Sequence, residues 1–538
     1  MTPPTRRMPS DSWLLAAILA AGFVLRVATI DTRGLWLDEA VSLDQASRTL
    51  AGTIATQVGG VHPPLFHILM HFWIQLVGTG EVALRSFALL FGMAAIAAAW
   101  WAGRVLLSRR AGLLAAGIIA LSPYHIWYSQ EARMYTMMLF FALLSLGWLG
   151  LAIRHGTPGR WTAYFVVTLL GLYTHYFFAF LVIGEVLHFV VFEVFGRLGR
   201  LKREGRRRTT WSRPWRVFSD VPLLAPWLVA MAALAVTLGA WVTYAVVLPQ
   251  FVGDSPLIGS ITSSGLGYGQ LPPSFAVRFN DVVLMLVELT LGFHPSPVMF
   301  GLVATWPLII YLMLLLLGRI SPLRRETVML VWCSSGMVLV WAIGQWQGQV
   351  LASRYLMALS APVVLLAARL LDRIPARARM AIAVAGVALA LVGWADQSFD
   401  QANMMRYADR EAIAYVASNQ RPGDVIVYEP FYTDVLFAYY LPKNLVAYEF
   451  PQRGVLGDAR NSKGQIGQDL TRVTVGSRRV WLVLGFQDIA ALRGDAYNTT
   501  QWLQRNGFVR ALDRPMSNVE VLRFDAAGGA AAAAGGTP

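Results

Sequence analysis

Long apolar runs recur between residues 12 and 395, and they constrain the fold more than any other feature of the sequence. A helix needs about 20 mostly apolar residues to cross a bilayer, where each backbone N–H and C=O has to find its partner inside the segment. Runs of this kind lie at approximately 12–30, 82–107, 111–122, 134–153, 161–178, 180–195, 221–247, 298–317, 327–345, 355–371 and 380–395, eleven in all. Charged residues make up only 14% of the 538, where a soluble chain carries about 25%. So few charges cannot coat a water-facing surface, so lipid solvates most of the chain. A soluble cytosolic enzyme and a disordered tail protein are excluded. The single cysteine, Cys333, excludes an intrachain disulfide and a cysteine-based metal site.

The formal charge of +14 is unevenly placed. Residues 197–216 hold nine Arg or Lys and one Glu, whereas the residues from Asp396 onward hold 15 basic and 15 acidic groups. Basic loops between apolar runs mark the cytoplasmic side of a membrane rather than a nucleic-acid surface. By that rule Arg6 and Arg7, Arg109 and Arg110, Arg154 and Arg160, the 197–216 loop, Arg319, Arg324 and Arg325, and Arg373, Arg377 and Arg379 face the cytoplasm. The segment 276–293 carries Arg278, Asn280, Asp281 and Glu288 and reads as an interfacial or re-entrant helix. The first run has no clear cleavage site and reads as a retained anchor. The amino terminus is then inside and the carboxyl terminus outside.

The outer face receives a long first loop (31–80), a turn near 123–133, the segment 248–297 and the carboxyl-terminal region. After residue 400 the pattern changes. REAIAYVASNQ and TQWLQRNGF read as helices, and DVIVYE, RVWLVLGF and VEVLRF as strands, which is a small α/β domain without a nucleotide-binding motif. The expected divisions are a membrane domain over 1–397, an α/β domain over 398–525 and a disordered tail over 526–538.

Charges at the membrane rim are costly and usually functional. Asp38 and Glu39 follow Trp36 just beyond the first run, where a carboxylate can act as a general base. His62 precedes two prolines that force an extended turn. The stretch from Ser122 to Tyr135 concentrates Tyr, His, Gln, Glu131 and Arg133 between apolar runs. If the next helix starts near Ser129, Glu131 and Tyr135 share a face. Tyr173, Thr174, His175 and Tyr176 close one run, and Arg354 and Tyr355 open another. Few basic residues belong on an outer rim, so Arg133 and Arg354 stand out. Guanidinium groups bind phosphate in a bidentate manner.

Asp38-Glu39, His62-Pro-Pro-Leu, the SQEARMY stretch at 129–135, Tyr173-Thr-His-Tyr and Arg354-Tyr355 together resemble the bacterial family 39 glycosyltransferases, which are protein-mannosyltransferase-like and include the aminoarabinose transferases. The resemblance covers about 12–371. It implies a polytopic α-helical membrane protein of GT-C type, with about eleven transmembrane helices and the small extracytoplasmic α/β domain at its carboxyl end. It also implies a polyprenyl-monophosphate sugar donor and a lipid, glycan or protein acceptor. Asp38 would be the base for an inverting transfer, with Glu39 beside it. Arg133 and Arg354 would take the phosphate, and His62, Glu131, Tyr135, His175 and Tyr355 would bind substrate. These groups are expected to converge at the non-cytosolic rim of a bacterial inner membrane. A divalent metal is possible, but the sequence has no firm ligand set. A ligase using a pyrophosphate-linked donor and a lipid or glycan transporter are the alternatives.

Overall fold

A computed structural model describes residues 11–60, 62–206, 213–248, 325–334, 336, 353–399, 407–430, 433–449, 470–485 and 499–527. The described chain forms two compact units. One contains the long apolar helices, and the other joins Asp31–Ser47 to the residues after Ser398.

Among the described residues of the first unit, six helices are long and apolar enough to cross a membrane: Glu81–Leu106, Tyr135–His155, Phe178–Arg203, Leu224–Val247, Arg354–Arg373 and Ala376–Phe399. All six fall on runs expected from the sequence. Three further runs form shorter helices, α1 (Asp11–Val27), α6 (Arg109–Leu121) and α9 (Pro158–Thr174). The run 298–317 and the segment 276–293 lie outside the described residues, as does most of 327–345. Between α1 and α5 (Glu81–Leu106) lie α2 (Leu37–Ala46), α3 (Leu50–Ala55) and α4 (Leu65–Val77).

Small residues bring these helices close, as membrane helix packing requires. A Cβ added to Gly103 of α5 would meet the Gly112 Cα of α6 at 2.7 Å. Polar groups join α8 (Tyr135–His155) and α9 to α10 (Phe178–His188). The buried Glu185 of α10 accepts from Ser145 Oγ of α8 and from Tyr164 Oη of α9, both at 2.9 Å. Ser145 also pairs with Thr168 of α9 at 2.9 Å.

α6 stops where it does because of Pro123. A proline has no N–H to return to the Ile119 carbonyl, and it is well suited to the first turn of a new helix. Ser122 caps that new helix, α7 (Pro123–Tyr128), accepting from the His125 N–H. Ser129 N–H and Gln130 N–H then bond back to His125 O and Trp127 O. The chain turns through 129–134, and α8 starts only at Tyr135. The shared helical face expected for Glu131 and Tyr135 therefore does not form, because α7 ends the preceding helix and Glu131 lies in the turn.

The second unit carries a five-stranded sheet of order β2-β1-β3-β5-β4. β1 (Val425–Glu429) is parallel to both β2 (Ala447–Glu449) and β3 (Arg479–Gly485). β5 (Val519–Ala526) runs antiparallel between β3 and β4 (Phe508–Met516). The central β1 and β3 are nearly continuous apolar runs because both their faces are covered. Val427, Leu482, Leu484, Leu503, Leu522 and Phe524 form the core. β2 is too short, and β4 too polar and exposed, to have been visible as alternating patterns. The expected helices appear at Asp409–Asn419 and 499–505, together with a short one at Asp434–Tyr440. Most of the expected disordered tail lies beyond the described residues, though Ala526 ends β5.

Candidate active site

Every residue from Ser122 to Leu139 is buried, although the stretch is rich in polar groups. Arg26 of α1 accounts for much of this. Its guanidinium donates to the Ile119 and Ala120 carbonyls (2.9 Å each), to Gly22 O (3.0 Å) and to Ser129 Oγ (3.0 Å). Ile119 O is the carbonyl that Pro123 leaves without its helical partner, and Ala120 O lies one residue beyond it. Gln130 Nε2 donates back to Arg26 O (2.6 Å) and to Thr29 Oγ1 (2.7 Å). Thr136 Oγ1 ties the start of α8 to Ala88 O of α5 at 2.9 Å. The turn is thus held from both sides.

The turn delivers Arg133, only 5% exposed, to His62 at the entry to α4, with Nη2 2.9 Å from His62 Nε2. A guanidinium only donates, so His62 Nε2 accepts and a neutral His62 carries its proton on Nδ1. Burial pushes His62 well below the usual histidine range, with Arg133, His175, His67 and Arg354 acting in the same direction. His62 is therefore a neutral imidazole among cations.

His175 sits at the corner between α9 and α10, its ring 5.1 Å from that of His62. Its Nδ1 accepts from the Phe177 N–H at 3.1 Å, which places the proton of the neutral form on Nε2. His62 Nδ1 and His175 Nε2 are both buried and meet no hydrogen-bond partner among the described residues. Tyr355 packs on His175 at 5.7 Å, and Arg354, 8% exposed, lies over the Tyr355 ring at 5.3 Å. The Tyr135 ring is 6.5 Å from that of His175. Four stretches of chain thus assemble Arg133, Arg354, Tyr135, Tyr355 and two histidines with spare N–H donors.

The other expected residues make the following contacts. Glu131 Oε1 accepts from Trp127 Nε1 at 2.6 Å. Tyr173 Oη donates to Thr237 O (2.8 Å) and Tyr176 Oη accepts from Trp241 Nε1 (3.0 Å), so both tie the His175 corner to the helix Leu224–Val242. Asp38 and Glu39 belong to the second unit, on α2. Glu39 is buried and its Oε2 accepts from the Trp36 N–H at 3.4 Å, a reach back to the helix start typical of a capping glutamate. Asp38 is half-buried, and its backbone carbonyl accepts from Ser42 Oγ at 2.7 Å.

Two contributors were not expected from the sequence. Arg26 was visible as a charge inside an apolar run, a pattern that flags function or a structural anchor. His67, buried in the first turn of α4 and near Arg133, gave only the weak signal of a second histidine five residues after His62. No group of three or more His, Cys, Asp or Glu is placed to hold a metal ion among the described residues. The first unit's cluster also does not fit a divalent cation, since two guanidinium groups line it and one of them occupies His62 Nε2. It fits an anion.

Residues 61–205, which include His62, Arg133 and His175, match a protein-family model described as dolichyl-phosphate-mannose-protein mannosyltransferase. Among solved structures the chain is similar to ArnT from Cupriavidus metallidurans in the apo state, with 12% identity, a TM-score of 0.57 and coverage of 96% of this chain and 98% of that one. It is equally similar to that protein bound to undecaprenyl phosphate, with 13% identity, a TM-score of 0.56 and the same coverage.

The chain has the GT-C fold, the fold of ArnT.

The oligosaccharyltransferase AglB from Archaeoglobus fulgidus, in complex with an inhibitory peptide and a dolichol-phosphate, shares this GT-C architecture at 13% identity and a TM-score of 0.52. The similarity covers 95% of this chain and 74% of that one. No curated protein matches the chain.

Proposed function

We propose that the protein is a membrane glycosyltransferase that moves a sugar from a polyprenyl-monophosphate donor to an acceptor hydroxyl on the extracytoplasmic face. The observation that carries this reading is the buried cluster of Arg133, Arg354, His62 and His175, in which two guanidinium groups lie beside His62 Nδ1 and His175 Nε2, two buried ring nitrogens that meet no hydrogen-bond partner among the described residues. A phosphate monoester on a lipid supplies an anion at the membrane rim. The long apolar helices supply a place for its isoprenoid chain. The structures of similar fold with undecaprenyl phosphate and dolichol-phosphate are consistent with such a lipid.

In the proposed reaction Asp38 takes the proton from the acceptor hydroxyl as that oxygen forms a bond to the anomeric carbon. The bond from that carbon to the phosphate oxygen breaks, and the electron pair leaves with the phosphate. Arg133 and Arg354 neutralise the leaving phosphate, which a water-poor site makes more effective than in solution. Attack and departure from opposite faces invert the configuration. His62 and His175 donate to phosphate or sugar oxygens, while Tyr135 and Tyr355 shape the sugar pocket. Glu39 and Glu131 hold the local backbone and turn that carry these groups. The acceptor is a lipid, a glycan or a protein, and the setting is a bacterial inner membrane with the site facing outward.

Purified full-length protein offered synthetic polyprenyl-phosphate sugars should transfer the sugar, and pyrophosphate-linked glycans should not replace them. Asp38→Asn should abolish transfer while donor binding persists. Arg133→Ala should weaken donor binding by about 1.5–3 kcal/mol, the usual worth of a hydrogen bond to a charged group. Transfer only from pyrophosphate donors would overturn the monophosphate assignment, and undiminished transfer by Asp38→Asn would overturn the base.

A further inference from the structure

Asp38 lies eleven residues after the end of α1, yet the contacts that locate its helix come from the opposite end of the chain. Asp31–Ser47 and the residues after Ser398 make one compact unit. Within it the Leu35 N–H donates to Tyr440 Oη at 2.6 Å, across 405 residues of sequence. Leu35 itself is fully buried. The Trp36 ring stacks on Tyr407, with centroids 6.3 Å apart and planes 16° from parallel. Gly34 lies so close to the domain that a Cβ there would come within 2.7 Å of Arg410 Cβ and 3.3 Å of Tyr440 Oη. α2 packs along the helix Asp434–Tyr440, which leaves the carboxyl end of β1 and ends at Tyr440. Three consecutive residues, Gly34, Leu35 and Trp36, are therefore anchored by the domain, and Asp38 stands two positions further on in the first turn of α2.

We propose that the carboxyl-terminal domain is the positioning element of the catalytic base, with Tyr440 as the residue that fixes the entry to α2 and so the place of the Asp38 carboxylate. This rests on the glycosyltransferase reading above. It gives the domain a role other than acceptor binding. A phenol oxygen accepting a backbone N–H fixes one point of the main chain. The Trp36–Tyr407 stack fixes its rotation, and the glycine allows the two backbones to approach. The demand is strict, because a displacement of about 1 Å in a reacting group costs about a hundredfold in rate.

The test uses the full-length protein with Tyr440→Phe, which removes only the acceptor oxygen, and Gly34→Val, which drives a side chain against Arg410. Each should lower kcat by about tenfold to a hundredfold with the KM values for donor and acceptor unchanged. The acid limb of the kcat–pH profile should shift with them. A purely structural loss would instead appear as reduced thermal stability at normal kcat. In hydrogen exchange the Leu35 amide should be protected in the unsubstituted protein and exposed in Tyr440→Phe. Normal kcat in both variants would overturn the proposal, as would a raised acceptor KM at normal kcat. A Leu35 amide that exchanges freely in the unsubstituted protein would also overturn it. Absence of transfer by the unsubstituted protein, or full transfer by Asp38→Asn, would instead defeat the parent reading. The exchange measurement still decides the docking in that case.

Discussion

Arg26 shows how much one residue can organise. A guanidinium in an apolar helix is tolerated because each of its three nitrogens finds an oxygen, and two of those oxygens are the carbonyls at the end of α6 next to Pro123. Arg26→Met should leave both carbonyls buried without a donor. At about 1–3 kcal/mol for each orphaned group, unfolding in detergent should show a loss of roughly 3 kcal/mol. Arg26→Lys should recover only part of it, because an ammonium cannot span the fork. A second residue-scale expectation concerns Asp409, which is buried at the start of its helix. Burial, with Glu411 adding to it, pushes its carboxyl up to about 7. The folded chain then keeps a proton that the unfolded chain releases near pH 4, the ordinary carboxylate range. Stability of the α/β domain should therefore fall as pH rises from about 4 to about 7 and level off above that. Asp409→Asn should flatten this slope, as read by exchange protection of the β3 amides.

Among the elements, the group formed by α8, α9 and α10 decides the cluster of Arg133, Tyr135 and His175. α8 starts next to Arg133 and Tyr135, and the α9–α10 corner carries His175. Glu185 clamps all three helices through Ser145 and Tyr164. Interhelical hydrogen bonds in membranes contribute about 1–2 kcal/mol, so Glu185→Leu should destabilise the protein by about that much and weaken donor binding. Glu185→Gln should stay close to the unsubstituted protein in thermal unfolding, since an amide can serve both hydroxyls. The apolar runs for these helices were visible in the sequence. The turn from Ser122 to Met134 was visible only as a patch of unusual polarity. Its path depends on Pro123 ending one helix and on Arg26 taking up the released carbonyls, and no local pattern reports a partner about 100 residues away. Tyr173 and Tyr176 appeared equivalent to His175 in sequence, but packing against the helix Leu224–Val242 sorts them into anchors and leaves the histidine to the cluster.

For the whole molecule, the expected sidedness places the carboxyl-terminal domain outside and the basic 197–216 loop inside. In a Cys333→Ser background, a cysteine at the exposed Ser418 should react with a membrane-impermeant maleimide on intact cells. One at the exposed Arg203 should react only after the membrane is opened. The reverse pattern would reject both the topology and an outward-facing site. That the chain is a multi-pass membrane protein with an α/β region at its end was legible in the residues alone, because hydrophobic length and strand patterning are local properties. It also offered Arg133, Arg354, His62 and His175 as candidates, because polar residues at a lipid boundary are costly wherever they occur. The tertiary structure alone decided that these four face one another with two N–H groups to spare, and that the helix bearing Asp38 packs with the domain encoded at the far end of the chain. Both depend on contacts between residues distant in sequence, which only the packing of the folded chain brings within reach.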